Sequence, residues 1–222
     1  MPSRKAPAAA PRPRAGRGSS GHPRDVEATK RRLVEAVGAI LARRGFTHLG
    51  VNAVAAQAGA DKALIYRYFG GFPRLLEAYA ESAAFWPTTE EMAGGPLGEL
   101  GALPLAARVA RVVHSYIGQL RARPVTQEIL AWELAERNEV TARLEEVRER
   151  RGLELMMVLA RDLPPTVDIA GVASILAGGV HYLLLRARRI RVFNGIDLRT
   201  EEGWARLEGA ARDMVIGALT GP

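Results

Sequence analysis

The sequence has no cysteine and few aromatic residues, and both shortages narrow the classes of protein it can encode. Without cysteine there is no disulfide framework and no thiolate metal or catalytic site, which fits a reducing cytoplasm. Aromatic residues make up 6% of the 222 residues, whereas hydrophobic residues make up 48% and include many Ala and Leu. Such a composition is typical of a largely helical protein with a sizeable core.

Long apolar runs are also lacking. We find no stretch of the roughly 18 apolar residues that a membrane-spanning helix needs. The first residues, MPSRKAPAAAPRPRAGRGSSG, lack the apolar core of a secretory signal. We therefore expect a cytoplasmic protein without a membrane partner.

Acidic residues are scarce in the first third of the chain. Residues 1–76 contain 14 Lys and Arg but 4 Asp and Glu, a net charge of +10, whereas residues 77–222 contain 17 and 20, a net charge of −3. A positive end of this kind favours a polyanionic partner, either nucleic acid or an anionic membrane surface. Residues 1–24 have no acidic residue and consist largely of Pro, Gly, Ala, Ser and Arg, so we predict a basic disordered arm. The arm is either a DNA-contacting segment or a solubilising tail.

From Asp25 onward, hydrophobic periodicity predicts helices and no strand. The first four predicted helices run from Asp25 to just before Gly45, over 51–58, over 62–69 with Asp61 as N-cap, and from Pro73 to about Phe85. Further helices are predicted near 104–122, 124–136, 139–161, 166–190 and 201–219, with a connecting loop at 87–103. The pattern predicts an all-α fold with a helix-turn-helix DNA-binding domain at 25–80 and a helical domain at 81–222.

The predicted helix at 62–69 has more basic and aromatic side chains than a core requires. On a helical wheel, Ile65 and Phe69 share the side that would pack on the first two helices. The opposite arc contains Ala63, Leu64 and Arg67, of which Leu64 suits a thymine methyl and Arg67 a guanine edge. The residues on the flanks suit phosphate oxygens, and they are Lys62, Tyr66 and Tyr68.

The segment AVGAILARRGFTHLGVNAVAAQAGADKALIYRYFGGFPRLLEAYA resembles the N-terminal DNA-binding domain of the TetR family of transcriptional regulators. The shared motif is Gly45-Phe46, Val54-Ala55, Ala58-Gly59 and then Ile65-Tyr66-Arg67-Tyr68-Phe69. The resemblance implies DNA contacts from seven residues: Asn52, Lys62, Ala63, Leu64, Tyr66, Arg67 and Tyr68. Three positions depart from the family pattern, namely Gly50 for a Thr cap, Tyr68 for a His and Phe72 for a phosphate-binding Lys.

The resemblance also implies a homodimeric repressor that a small-molecule effector releases from a pseudo-palindromic double-stranded DNA operator. Residues 81–222 would bind the effector, and 166–190 and 201–219 would form the dimer. Polar or aromatic residues on otherwise apolar faces are the effector-binding candidates: His114, Tyr116, Trp132, Glu133, Met156 and His181. Glu133 beside Trp132 would suit a cationic, partly aromatic ligand.

The sequence contains no catalytic constellation, zinc-ligand spacing or Gly-rich phosphate loop, so we expect no enzymatic activity, cofactor or metal. Two alternatives stay open. One is a helical-bundle enzyme or small-molecule carrier with an incidental basic N-terminus, which predicts no salt-sensitive DNA binding. The other is a membrane-surface protein that uses the basic arm on anionic lipid, which predicts binding to vesicles.

Overall fold

The computed structural model describes residues 23–135 and 137–220, so the predicted arm at 1–24 lies almost wholly outside the described residues. The N-terminal part consists of α1 (Pro23–Arg44), α2 (Val51–Ala58), α3 (Ala63–Phe69) and α4 (Phe72–Glu81), with a 3-10 turn at Phe46–His48. The helices that follow are α5 (Thr89–Ala93), α6 (Leu97–Gly101), α7 (Leu105–Arg121), α8 (Pro124–Glu133), α9 (Glu139–Leu159), α10 (Ile169–Ala187) and α11 (Glu201–Thr220). The fold is all-α, as predicted.

A shared hydrophobic core holds the N-terminal helices together. Leu33, Val37 and Leu41 of α1 are fully buried, and they belong to the same packed cluster as Val54 of α2 and Ile65 of α3. These are the inward-facing residues that the periodicity predicts. Burial of each such side chain is worth about 1.5–3 kcal/mol, which fixes the orientation of the short helix α3 on α1 and α2.

The prediction that the fourth helix reaches Phe85 is wrong, because α4 ends at Glu81. The chain turns at Ser82, and both Phe85 and Trp86 become buried. Arg151 of α9 stabilises this turn by donating 2.6 Å hydrogen bonds to the carbonyl oxygens of Glu81 and Trp86. A buried guanidinium thus satisfies carbonyl groups that a continuing helix would have paired internally.

The predicted loop at 87–103 contains two short helices, α5 and α6, so that prediction is also wrong. A capping box begins α5. The Thr88 hydroxyl accepts from the backbone N–H of Glu91, and the Glu91 carboxylate accepts from that of Thr88. Both bonds satisfy N–H groups that the first turn of a helix leaves without partners.

The structure also has a strand pair where no strand was predicted. β1 (Val192–Phe193) pairs antiparallel with β2 (Ile196–Asp197) between α10 and α11. Asn194 and Gly195 connect them with φ values of 47° and 76°, the left-handed conformations that a two-residue hairpin turn requires. The break that the sequence marks at this dipeptide is therefore a tight hairpin.

Helix α10 is apolar but largely exposed. By length and composition it could cross a membrane, with a mean hydropathy of 1.5 over an 18-residue window of which 11% is buried. The expectation that no segment reaches this apolarity is wrong, because scattered Gly, Ser, His and Tyr interrupt the apolar run but leave its mean hydropathy at 1.5. An exposed apolar helix surface of this size marks a site of interaction with another molecule.

Candidate nucleic-acid interface and neighbouring cavity

Local backbone chemistry sets the angle between α2 and α3. Gly59 ends α2 in the left-handed conformation at φ 59°, which lets the N–H of Ala60 bond back to the carbonyl of Ala55 at 3.0 Å. The Asp61 carboxylate then accepts from the N–H of Ala63 at 2.8 Å and begins the next helix. Two turns of this kind within a few residues produce the helix-turn-helix geometry.

The outer side of this unit is exposed and basic. Asn52 of α2 and Lys62, Ala63, Tyr66 and Arg67 of the α3 region are all exposed. Lys30 on α1 lies 2.8 Å from Glu27, but within residues 23–135 and 137–220 neither Lys62 nor Arg67 has an ion-pair partner. Two cations and a phenol are thus available to an anionic surface.

Three further positions of the motif are partly buried. Leu64 and Tyr68 pack against the hydrophobic core while keeping part of their surface outside, so Leu64 does have a buried contact that the helical wheel does not indicate. The Arg67 guanidinium lies 5.9 Å from the centre of the Tyr68 ring. Phe72, at the first position of α4, also packs on the core, which gives a structural reason for an apolar residue there.

A cavity of about 450 Å³ lies among α8, α9 and α10. Leu130, Leu134 and Leu185 contribute apolar walls, and Glu133, Arg148 and His181 contribute polar ones. A volume in this range suits a small molecule of drug size.

An ion pair forms one wall of this cavity. Arg148 donates to one carboxylate oxygen of Glu133 at 2.7 Å, and its guanidinium lies 5.5 Å from the centre of the Trp86 ring. The second oxygen, Oε1 of Glu133, is buried without a hydrogen-bond partner, as is the hydroxyl of Tyr79. Burial raises the pKa of Glu133, and Arg148 opposes that rise.

His181 is the second polar group of the wall. Its Nε2 lies 2.7 Å from the hydroxyl of Tyr116, and its ring meets Trp86 edge-on at 5.6 Å. Burial lowers the pKa of His181 to about 4, with a further lowering by Arg148, so the imidazole is neutral near neutral pH. Burial also raises the pKa of Tyr116, so its hydroxyl keeps its proton.

The structure separates the six effector candidates. Glu133 and His181 line the cavity, and Tyr116 lies behind His181. The other three do not line this cavity. His114 is exposed and lies 2.9 Å from Glu208, and Met156 is a partly buried residue of α9. The ring of Trp132 packs 3.2 Å from where a Cβ on Gly45 would stand, so Trp132 contacts α1 and not the space beside Glu133.

Sequence reasoning missed Arg148 and Tyr79. Arg148 lies on the same helical face as Leu144, Arg151 and Leu155, which are buried in α9. A spacing of three and four residues along that apolar stripe could have identified it. Tyr79 lies on the buried face of α4 and gives no comparable polar signal.

The exposed face of α10 joins α11 in an apolar groove of about 390 Å³. Ile175 of α10 is 76% exposed and Met214 of α11 is 70% exposed. In the described part of the chain, no group of three or more His, Asp or Glu side chains could hold a metal ion.

Residues 30–79 match the family model described as bacterial regulatory proteins, tetR family. A curated relative, the HTH-type transcriptional repressor SCO4008 of Streptomyces coelicolor, is 43% identical over 58 residues. That match covers 26% of this chain and 30% of the relative, so the chain matches less than a third of the relative's length.

Solved structures of similar fold extend over most of the chain. The transcriptional regulator FadR of Bacillus subtilis, solved with stearoyl-CoA, has a TM-score of 0.62 at 14% identity and covers 85% of this chain and 98% of its own. A TetR family regulator from Marinobacter aquaeolei has a TM-score of 0.60 at 19% identity, with coverages of 88% and 97%. At these identities the likeness establishes the fold alone, over the 85% and 88% of the chain that these two structures cover.

Proposed function

Because residues 30–79 match the model of bacterial regulatory proteins, tetR family, we propose that the chain is a regulator of this family that represses transcription by binding a double-stranded DNA operator as a homodimer in the cytoplasm. The observation that supports this most is the exposed outer side of α3. It presents Lys62, Tyr66 and Arg67 without ion-pair partners in the described residues, on a helix that Ile65 anchors to the core. Arg67 would read a guanine edge, and Lys62 and Tyr66 would bind phosphates. The role is binding and not catalysis.

Dimerisation through α10 and α11 accounts for the exposed apolar groove. Two copies of this helix pair would cover Ile175 and Met214, which water otherwise solvates. A two-fold axis would place the two α3 helices in major grooves one helical turn apart, which requires a pseudo-palindromic operator.

Effector binding in the cavity is the third part of the proposal. A residue next to the cavity also contacts the DNA-binding domain. Trp132 of α8, the neighbour of cavity-lining Glu133, packs on Gly45 at the end of α1. An effector that fits the cavity differently in the two states of the protein would change the separation of the α3 helices.

Selection of binding sites from a random pool of duplexes tests the DNA-binding claim. The wild-type protein should enrich a two-fold symmetric site. Arg67→Ala should lose preference at one base position per half-site, by about 1–3 kcal/mol. Arg150→Ala is the control, because Arg150 is an exposed ion-paired residue of α9, 2.6 Å from Glu81. A pool that shows no enrichment with the wild-type protein would refute the proposal.

Sedimentation equilibrium tests the dimer. Met214→Glu puts a charge into the proposed interface and should give a monomer. Met157→Glu is the matched control, because Met157 is 68% exposed on α9, away from the groove. A Met214→Glu protein that sediments as a dimer would exclude this face as the interface.

A further inference from the structure

In the cavity beside α8, Arg148 presents hydrogen-bond donors to the open space, whereas the unpaired carboxylate oxygen of Glu133 is buried. Arg148 uses Nη1 on Glu133, yet its side chain is 24% exposed and lines the cavity. Its remaining N–H groups are therefore available to a bound molecule. Glu133 behaves differently, because one oxygen is held by Arg148 and Oε1 is buried out of reach of water.

His181 adds a second donor. The hydroxyl proton of buried Tyr116 needs an acceptor, and Nε2 of His181 lies 2.7 Å away. A neutral imidazole that accepts at Nε2 has its proton on Nδ1. In the described residues Nδ1 forms no hydrogen bond and is not a fully buried atom, so this N–H is accessible to a ligand.

The other charged groups of the wall, and the Thr141 hydroxyl, already have partners. Arg137 and Glu145 form a 2.7 Å ion pair at the exposed edge of the cavity. The Thr141 hydroxyl accepts from the backbone N–H of Asn138 and donates to its carbonyl. The rest of the wall is apolar, including Leu130 and Leu185, apart from the half-exposed Tyr182, whose ring packs edge-on against Phe193. An incoming molecule therefore meets an apolar space in which Arg148 and His181 are the donors away from the exposed edge.

We propose that this cavity binds an amphipathic acid, whose carboxylate accepts from Arg148 and from Nδ1–H of His181 while its apolar body fills the space between α8 and α10. Such an acid would be the effector of the proposed repressor, so its regulatory role rests on the proposed function. It reverses the expectation of a cationic ligand, because Trp132 contacts Gly45 and the free oxygen of Glu133 is enclosed.

The bound acid would share Arg148 with Glu133. Two carboxylates on one guanidinium repel each other, so acid binding weakens the link between α8 and α9. Glu133 is the neighbour of Trp132, which contacts the end of α1 through Gly45. The acid would thus act on α8, the helix that contacts both the cavity and the DNA-binding domain.

Calorimetric titration of the full chain without DNA tests the ligand class. The probes are two matched series with a common body and different polar ends. One series is decanoate, decanol and decylamine, and the other is 3-phenylpropionate, 3-phenylpropanol and 3-phenylpropylamine. In at least one series the acid should bind about tenfold or more tightly than its alcohol and its amine, as expected for charge-assisted hydrogen bonds. Acids that bind no better than their alcohols in both series would overturn the proposal.

Two variants assign the effect to the named residues. Arg148→Met should weaken acid binding about 10–100-fold and leave alcohol binding unchanged, whereas Arg150→Met on the same helix should change neither. Glu133→Gln removes the competing carboxylate and should tighten acid binding about 3–10-fold. Tightest binding of an amine, lost in Glu133→Gln, would instead establish a cation site and refute the acid.

The Glu133→Gln result does not depend on whether Arg148→Met folds. Because no DNA is present, these titrations are also independent of operator binding. Acid binding without operator binding would contradict the proposed function alone, and operator binding without acid preference would contradict the effector class alone.

Discussion

Neutral His181 should make the stability of the protein depend on pH in a calculable way. Burial among Tyr116, Trp86 and Arg148 lowers the pKa of His181 from 6.5 to about 4. The unfolded chain therefore binds a proton on His181 at a pH where the folded chain does not. Its contribution to stability is present above pH 6.5 and is lost as the pH falls towards 4.

The size of the loss follows from the two pKa values. Between about pH 7.5 and about pH 5, linkage gives a loss of about 2 kcal/mol in the free energy of unfolding from this one residue. Glu133 acts in the opposite direction, because burial raises its pKa and its protonation on folding favours the folded state as the pH falls. A comparison of variants is therefore needed to isolate His181.

Urea unfolding at the two pH values and one protein concentration measures this contribution. His181→Gln keeps an acceptor for Tyr116 but cannot titrate, so it should lose about 2 kcal/mol less than the wild-type protein over the same interval. His114→Gln is the matched control, because it replaces a histidine outside the cavity whose side chain is 77% exposed, and it should not show the smaller loss of His181→Gln. Equal losses in the wild-type and His181→Gln proteins would refute the buried neutral state.

Three substitutions test the interactions that stabilise the helix-turn-helix domain. Ile65→Ala removes a fully buried side chain and should lower the free energy of unfolding by about 2–5 kcal/mol in urea titrations. Asp61→Ala removes the cap on the N–H of Ala63 and should cost about 0.5–2 kcal/mol in the same titration. Gly38→Ala puts a Cβ 2.8 Å from the ring of Tyr79, and overpacking should lower the free energy of unfolding by about 1–3 kcal/mol. A Gly38→Ala protein as stable as the wild type would show that the Tyr79 ring can shift without cost.

The helix-turn-helix domain could be predicted from the sequence because its determinants are local. Gly59, Asp61 and Gly70 each fix a helix end through their own backbone or side chain. The inward positions at Val54 and Ile65 follow helical spacing. Two later errors were also open to local reasoning. The Thr88-to-Glu91 capping spacing and the Asn-Gly hairpin dipeptide are both present in the sequence. The Gly-rich and Pro-rich surroundings of the first favoured a loop, and the second was interpreted only as a break between two helices.

The cavity could not be predicted in the same way, because its chemistry depends on contacts between distant helices. Glu133 and Arg148 are 15 residues apart, and Tyr116 and His181 are 65 apart. Nothing near Trp132 in the sequence indicates that its ring lies on Gly45 and leaves the cavity to its neighbour. The packing of α8 against α1 determines that Glu133, and not the adjacent Trp132, faces the cavity.

Hydroxyl-radical footprinting on a duplex selected by the wild-type protein would test the central claim, that a dimer reads DNA through α3. Two protected regions should lie about one helical turn, or about 10 base pairs, apart on one face of the duplex. Arg67→Ala should lose protection on that duplex at a salt concentration where Arg150→Ala keeps it. A single protected region, or protection that is the same on an unrelated duplex, would contradict the claim.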